Sequence, residues 1–139
     1  MDRVILDSDI YIDWFAAGLR EDLVLGRRYV QHLSTVVLLE LQAGATEQKV
    51  AQAVWELYRT FRKTGRLLVP SAHAFWEAGS VLRELQYRHG HELRKRWRLV
   101  NDCLIAISSR QIGATVLTRN ERDFRAIQQI TPFALAIVP

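Results

Sequence analysis

The sequence predicts an α/β fold: a single domain over residues 1–139, with a short parallel sheet of about four to five strands flanked by helices on both faces. Short apolar runs alternate with longer segments of helical periodicity, and the runs are apolar on both faces, as in a sheet covered on both sides. Hydrophobic residues make up 49% of the chain and charged residues only 24%, which is enough for a sizeable core. No linker or internal repeat interrupts this pattern.

The N-terminal part predicts a strand, a polar turn and then helices. Residues 4–6 form a short aliphatic run that ends at an Asp-Ser-Asp triplet, and a helix follows until about Gly18. Residues 20–32 mix charged and apolar side chains and predict a half-buried helix. Residues 35–43 are apolar almost all round and end at Gly44, which predicts a buried helix.

The middle of the chain predicts two further helices around a second strand. Apolar residues recur at helical spacing from a predicted N-cap at Thr46 to Gly65. Residues 67–69 form the strand, and Ser71 caps a helix that the sequence His-Gly-His at 89–91 ends.

The C-terminal part predicts a buried helix and the last two strands. The helix covers 102–111, with Asp102 at its start, and the strands cover 114–117 and 133–138. The single Cys103 cannot form an internal disulfide and is interpreted as a small core residue. Three tryptophans at apolar helical positions are also predicted to lie in the core: Trp14, Trp55 and Trp76.

Two whole-chain properties bear on location and partners. No apolar run approaches the roughly 20 residues of a membrane span, and the N-terminus lacks the plan of a signal peptide, so we expect a cytoplasmic protein with no membrane partner. The net charge of +4 and the pI of about 9.6 argue weakly for a polyanionic partner.

Four acids stand where a site is expected, and each also has an ordinary structural explanation. Asp7 directly follows the first strand, yet it could equally cap the next helix. Glu40 lies on an apolar helix, so it marks either a site or an ion pair. Asp102 opens a helix and could be a cap or a first-turn acid, while Asp123 could form a capping box with Asn120.

The joint placement of these acids favours a metal site. In a parallel sheet the ligand crevice lies at the carboxyl ends of the strands, so acids that follow strands can converge there. Crowded carboxylates repel one another, and a divalent cation offsets that repulsion. Oxygen-only ligands favour Mg²⁺ or Mn²⁺ over zinc.

A basic segment at 83–98 has six basic and two acidic residues, so its net charge equals the +4 of the whole chain. The candidate RNA-binding residues are Arg88, Arg94, Lys95, Arg96 and Arg98. Trp97 and Tyr87 are interleaved and could stack on unpaired bases. The alternative is a solvated helix face with Trp97 in the core.

Three segments resemble the PIN domain superfamily, and within it the VapC-type ribonuclease toxins of bacterial toxin–antitoxin pairs. They are the opening strand with its aspartate (4–10), the segment around Glu40 (34–44) and the segment from 101 to 124 with Thr-Arg-Asn-x-x-Asp-Phe at its end. The last segment is the most specific.

The resemblance implies a metal-dependent endoribonuclease that cuts RNA with Mg²⁺ or Mn²⁺, a small antitoxin as partner and a homodimer. By position, Asp7 and Asp102 would be the principal metal ligands, completed by Glu40 and by Asp123. Candidates for an outer shell around the metal are Asp9, Thr118 and Asn120. Asn120 stands where some members of the family place their fourth acid.

Two other functions remain open from the sequence. One is a PIN nuclease that acts in RNA processing, or on DNA, without an antitoxin. The other is a catalytically silent PIN fold that binds nucleic acid or a protein.

Overall fold

A five-stranded parallel sheet forms the centre of the computed structural model, which describes residues 2–90 and 97–139. Its strands are β1 (Arg3–Leu6), β2 (Val30–Ser34), β3 (Leu67–Leu68), β4 (Thr115–Thr118) and β5 (Leu135–Ile137). They lie in the order β3-β2-β1-β4-β5, and every neighbouring pair is parallel. The predicted α/β fold with a short parallel sheet is therefore confirmed.

Seven helices flank this sheet in the described residues. They are α1 (Ser8–Ala17), α2 (Glu21–Val24), α3 (Thr35–Gly44), α4 (Gln48–Lys63), α5 (Ala72–His89), α6 (Trp97–Gln111) and α7 (Glu121–Ile130). Helices α1, α3 and α4 pack in sequence, α5, α6 and α7 pack together, and α3 also contacts α6. None of the described helices is both long and apolar enough to cross a membrane.

The core centres on β1, β4 and α6. Residues 4–6 of β1 are buried, and every residue of α6 from 102 to 109 is buried as well. Cys103 belongs to this segment as predicted, and burial raises the pKa of its thiol to about 12, so the thiol stays protonated at neutral pH.

Several local predictions were confirmed. Asp7 is the N-cap of α1, and Gly18 ends that helix in the left-handed conformation, with φ of 66°. Ser71 caps α5, and Asn120 caps α7.

The prediction of one helix over 20–32 was wrong. The segment contains the single turn α2 and then β2, which pairs with β1 on one side and β3 on the other. Gln31 and His32 interrupt the apolar pattern that would have indicated a strand, although both residues are partly buried in the structure. The start of α4 is also shifted, because Glu47 and not Thr46 occupies its N-cap position.

The predicted start of α6 at Asp102 was wrong too. The described helix includes Trp97, so Asp102 lies in its interior and cannot be its cap. Arg98 resembles part of a polar lead-in, but it lies in this helix, close to the buried Leu99 and the buried residues from 102 onward.

The expected burial of several large apolar side chains was wrong. Trp55 is 49% exposed, Trp76 is 78% exposed, and only Trp14 packs against the core. On α3, Leu39 is 62% exposed, so this helix has an open apolar face and is not buried all round.

Candidate active site

The register of the sheet places Asp7 beside Thr118. Leu6 at the end of β1 pairs with Leu117 of β4, and the Asp7 backbone N–H donates to the Leu117 carbonyl at 2.9 Å. The Asp7 carboxylate then accepts from the Ser8 backbone N–H at 2.8 Å and from the Thr118 hydroxyl at 2.7 Å. Only 5% of Asp7 is exposed. The cap and the candidate site acid are therefore the same residue.

Asp9 follows in the first turn of α1 and faces the same strand end. Its Oδ2 accepts from the Arg119 backbone N–H at 3.0 Å and lies 3.3 Å from the Thr118 hydroxyl. Its Oδ1 is buried and has no hydrogen-bond partner among the described residues. The guanidinium of Arg119 turns to Asp13 instead, with Nε 2.9 Å from the Asp13 carboxylate.

Asn120 joins the two acids from the C-terminal part of the chain. Its Nδ2 donates to one oxygen of Asp102 and one oxygen of Asp123, each at 3.2 Å. Its Oδ1 accepts from the Asp123 backbone N–H at 3.4 Å, which caps α7. The predicted pairing of Asn120 with Asp123 at the start of a short helix is thus observed, and it also reaches the buried Asp102.

Glu40 enters from α3. Its Oε1 is buried without a partner among the described residues. Hydrogen bonding from Asn101 and Ser8 and the positive charge of Arg98 stabilise the ionised form, but burial outweighs them and raises the pKa of this carboxyl.

The acids also raise one another's pKa. Burial and the charge of Asp9 raise the pKa of Asp7 to about 7, against the donated hydrogen bonds from Thr118 and Ser8. Burial and then repulsion from Asp7, Glu40, Asp123 and Asp9 raise the pKa of Asp102 well above its usual value. The other four carboxyl groups therefore all lie within electrostatic range of Asp102.

A single cleft of about 1020 Å³ contains these side chains. Its acidic floor comes from the ends of β1 and β4 and from α3, α6 and α7. Its remaining wall carries two cations, two amides and several apolar side chains: Arg98, Arg119, Asn101, Asn120, Ile12, Leu39, Ala43, Trp97 and Val100. The predicted convergence of Asp7, Glu40, Asp102 and Asp123 in one crevice is what the structure shows.

The model of the PIN domain family matches residues 4–129. The chain belongs to the PIN domain family. The match covers β1 to β4 apart from the first residue of β1, and all seven described helices apart from the last residue of α7. The resemblance that the three sequence segments carry is confirmed at the level of this family.

Solved structures of similar architecture support the same fold. VapBC2 from Rickettsia felis, bound to a promoter DNA fragment, has a chain that superposes with a TM-score of 0.68 and 20% identity over 99% of both chains. DNA-bound VapBC from Salmonella typhimurium gives 0.69 and 21%, over 99% of this chain and 98% of that chain. VapBC-5 from Mycobacterium tuberculosis, described as a member of the VapBC family of toxin-antitoxin systems, gives 0.61 and 20% over 99% and 98%. Comparison with curated protein sequences gave no match.

The acids of this PIN domain suit a hard divalent cation by their chemistry. Two buried oxygens, Asp9 Oδ1 and Glu40 Oε1, have no donor among the described residues, and burial together with repulsion from neighbouring acids raises the pKa values of Asp7 and Asp102. Oxygen donors of this kind are the ligands that Mg²⁺ and Mn²⁺ prefer. Within 2–90 and 97–139, however, no group of three or more acid, histidine or cysteine side chains is already spaced for a metal ion. Binding an ion would need the carboxylates to draw together.

The predicted RNA-binding residues are not all at this cleft. Arg98 lines it, whereas Arg88 lies at a separate hollow and pairs with Glu84 at 2.7 Å. Arg94, Lys95 and Arg96 fall outside the described residues.

Sequence reasoning missed some residues of the cleft. Arg119 was quoted only as part of a motif, yet its backbone holds Asp9 and its side chain forms part of the cleft wall. Ser8 and Asn101 were interpreted as turn and cap residues, and both lie beside Glu40. Their position directly after or before an acid of the motif was the available signal.

Proposed function

We propose that this protein is a divalent-metal-dependent endoribonuclease and the toxin of a toxin–antitoxin pair. The observation that carries the proposal is the convergence of five buried or half-buried carboxyl groups in one cleft at the ends of β1 and β4. A charge cluster of this kind is unfavourable for the free protein, and enzymes retain such clusters where a cation and a substrate need them.

Each acid has a role in this proposal. Asp7 and Asp102 would hold the cation, and Glu40 and Asp123 would complete its ligands or orient a water. The cation, Mg²⁺ or Mn²⁺, would supply Lewis-acid polarisation of the phosphate and activation of that water. Thr118 and Asn120 would hold these acids in place through the hydrogen bonds described above, and Asp9, anchored by the Arg119 backbone N–H, would lie in the outer shell of the cation.

The cations of the cleft wall would hold the RNA backbone. Arg98 and Arg119 flank the acids, and an acidic site that acts on a polyanion needs positive charge beside it. Arg94, Lys95 and Arg96 remain candidates for the same task on the strength of the sequence alone.

Substitution of the two principal acids tests the enzymatic part of the proposal. Asp7→Asn and Asp102→Asn should abolish Mn²⁺-dependent cleavage of single-stranded RNA, while Asp22→Asn, at an exposed acid of α2, should cut as the wild type does. If a DNA oligonucleotide of the same sequence is cut in preference to RNA, the protein is a DNA-directed nuclease. If RNA binds but is never cut with Mg²⁺ or Mn²⁺, the silent PIN fold is correct.

A hollow beside the cleft suits the antitoxin. It has a volume of about 540 Å³, lies between α1, α3 and α4, and is lined by apolar side chains such as Phe15, Val50 and Ala53. It shares Ile12, Glu40 and Gly44 with the cleft. An apolar segment of the partner would fill this hollow and direct a basic side chain among the acids.

The antitoxin surface can be tested apart from catalysis. Ala53→Arg would block the hollow, so this variant should no longer bind the product of an adjacent small gene but should keep its cleavage rate. Ala72→Arg, on the exposed start of α5, is the control.

Expression of the wild-type chain alone should arrest bacterial growth by stopping translation in the cytoplasm, and expression of Asp102→Asn should not. Normal growth with soluble, active protein would exclude a toxin.

The homodimer is proposed from the exposed apolar side chains. Val69, which follows β3, and Phe75 on α5 are both more than half exposed, so they are candidates for a contact between two copies of the chain. Sedimentation analysis would show a single species of twice the 16.1 kDa chain mass if this is right.

A further inference from the structure

Trp97 and Leu39 are large, exposed apolar side chains in the wall of the cleft, and together we call them the apolar step. Trp97 opens the described part of α6 and is 57% exposed, and Leu39 lies on α3 and is 62% exposed. Both line the cleft that contains the acids. Both side chains are exposed in the cleft and are not buried in the core, so they are available to contact a ligand.

A cation accompanies the indole ring. The Arg98 guanidinium lies 5.5 Å from the centre of the Trp97 ring, and its charge reaches Glu40. An aromatic face, an aliphatic side chain and an arginine beside it are the groups that bind an unstacked nucleobase and its phosphate. Trp97, Leu39 and the acids line the same cleft. An RNA strand whose phosphate lies at the acids can therefore place a neighbouring base on the Trp97 ring.

We propose that Trp97 and Leu39 form a base-stacking subsite that takes an unpaired nucleobase next to the scissile phosphate, with Arg98 on the adjoining phosphate. This rests on the proposed function and narrows its substrate to single-stranded or looped RNA, because a base in a duplex is stacked and cannot reach the ring. A peptide of the antitoxin is the competing occupant, but the adjoining hollow between α1, α3 and α4 already offers it an apolar site.

The test measures binding without cleavage. The full chain carries Asp102→Asn, and the probes are a labelled single-stranded RNA of mixed sequence and the same ribose-phosphate backbone without bases. Trp97→Leu should weaken binding of the base-bearing RNA by about tenfold, as expected for the loss of one stacked base. It should leave binding of the backbone without bases unchanged. Trp97→Phe, which keeps a ring, should restore most of the affinity.

Two further variants serve as controls. Trp76→Leu removes a more exposed tryptophan, on α5 and away from the cleft, and should bind both probes as the parent does. Arg98→Gln should weaken both probes equally and reduce the salt dependence of log Kd by about 0.7, the value for one phosphate contact on a single strand. Thermal unfolding of each variant confirms that it is folded.

The outcomes separate this subsite from the parent proposal. The subsite would be overturned if Trp97→Leu weakened binding of both probes equally. It would also be overturned if Trp76→Leu weakened binding of the base-bearing RNA as much as Trp97→Leu does. Normal RNA binding by Trp97→Leu together with loss of the antitoxin would overturn it too, and would assign the step to a protein partner. RNA that is never cut by the wild type but is bound through Trp97 would leave the subsite standing and refute the nuclease.

Discussion

The carboxyl group of Asp102 is the least solvated acid of the cleft, with 4% of the residue exposed in the middle of α6. Its one described donor is the Asn120 amide, and four neighbouring acids repel its charge. A group in this position lowers the stability of the metal-free protein, because ionising it is more costly in the folded state than in the unfolded chain.

Asp102→Asn should therefore stabilise the metal-free protein while it abolishes cleavage. We expect a gain of about 1–2 kcal/mol in the free energy of unfolding at neutral pH, seen as a melting temperature higher by several degrees. Differential scanning calorimetry in EDTA would measure it. Asp22→Asn is the control, and a lower melting temperature for Asp102→Asn would show that the buried charge is compensated in a way the structure does not reveal.

The gain should depend on pH in a defined direction. The folded-state pKa of Asp102 lies above its unfolded value of 3.8, so the folded protein binds more protons between these two values. The stability of the metal-free wild type then falls as pH rises through that window, whereas the amide does not titrate. The advantage of Asp102→Asn should be larger at about pH 8 than at about pH 5. An equal gain at both would point to packing as the cause.

Thr118 acts on the site through Asp7. Its hydroxyl donates to Asp7 at 2.7 Å and accepts from the Asn120 backbone N–H at 3.0 Å, so it is a positioning residue that never needs to touch substrate. Thr118→Val keeps the shape of the side chain but removes the donor that lowers the pKa of Asp7.

We expect Thr118→Val to reduce cleavage by about tenfold and to weaken Mn²⁺ binding by a similar factor. The acid limb of its pH–rate profile should move to higher pH, because Asp7 must lose its proton to act and now loses it less readily. Thr118→Ser should restore both. A lower rate with an unshifted profile would indicate that Thr118 is merely a packing residue.

At the scale of elements, local signals predicted four of the five strands and several helix caps, and missed β2 and the start of α6. Asp7, Ser71 and Asn120 cap helices as expected, since a cap depends on a few adjacent residues. Strand β2 depends on its position between β1 and β3, and its partly buried Gln31 and His32 hide the apolar pattern. The described residues of α6 before Asp102 were missed for a similar reason, because Trp97 and Arg98 are exposed.

The acids of the site could be predicted from their order in the chain, but their connections could not. Which acid follows which strand is visible in the sequence, and the parallel sheet then gathers them. That Asn120 joins Asp102 to Asp123, or that Arg119 holds Asp9 by its backbone, depends on how the β4–α7 turn folds. Likewise, the exposure of Trp97 depends on how α3 and α6 are placed around the cleft.

Asn120 has two separable tasks at the start of α7, and two substitutions distinguish them. Asn120→Ala removes both the cap and the bridge, so we expect a loss of about 1 kcal/mol in stability and a higher Mn²⁺ requirement. Asn120→Ser should keep the cap and the melting temperature but share the higher Mn²⁺ requirement. Thermal unfolding and metal titration of cleavage would measure these effects; an unchanged Mn²⁺ requirement in both variants would leave Asn120 with the cap alone.

On the scale of the whole molecule, the charge is divided between two regions of opposite sign. The chain carries a net charge of +4, yet the floor of the cleft contains five acids. A basic exterior attracts a polyanion, and the acidic floor repels its phosphate until a cation is bound. Metal binding, substrate binding and folding stability are therefore coupled through the same carboxylates.

This coupling predicts how Mn²⁺ changes the stability of the whole domain. An ion that binds only the folded protein raises the melting temperature in proportion to the logarithm of its concentration. At about pH 8 Asp7, with a pKa of about 7, is mostly ionised in the metal-free protein, which raises both its repulsion of the neighbouring acids and its affinity for the ion. At about pH 5 Asp7, with a pKa of about 7, is mostly protonated and protons compete with the ion.

Saturating Mn²⁺ should thus raise the melting temperature of the wild type by several degrees at about pH 8 and by little at about pH 5. It should not raise the melting temperature of Asp102→Asn at either pH. Asp22→Asn should respond as the wild type does. Equal stabilisation of the wild type and Asp102→Asn would place the ion elsewhere, and the acids of this cleft would then need another explanation.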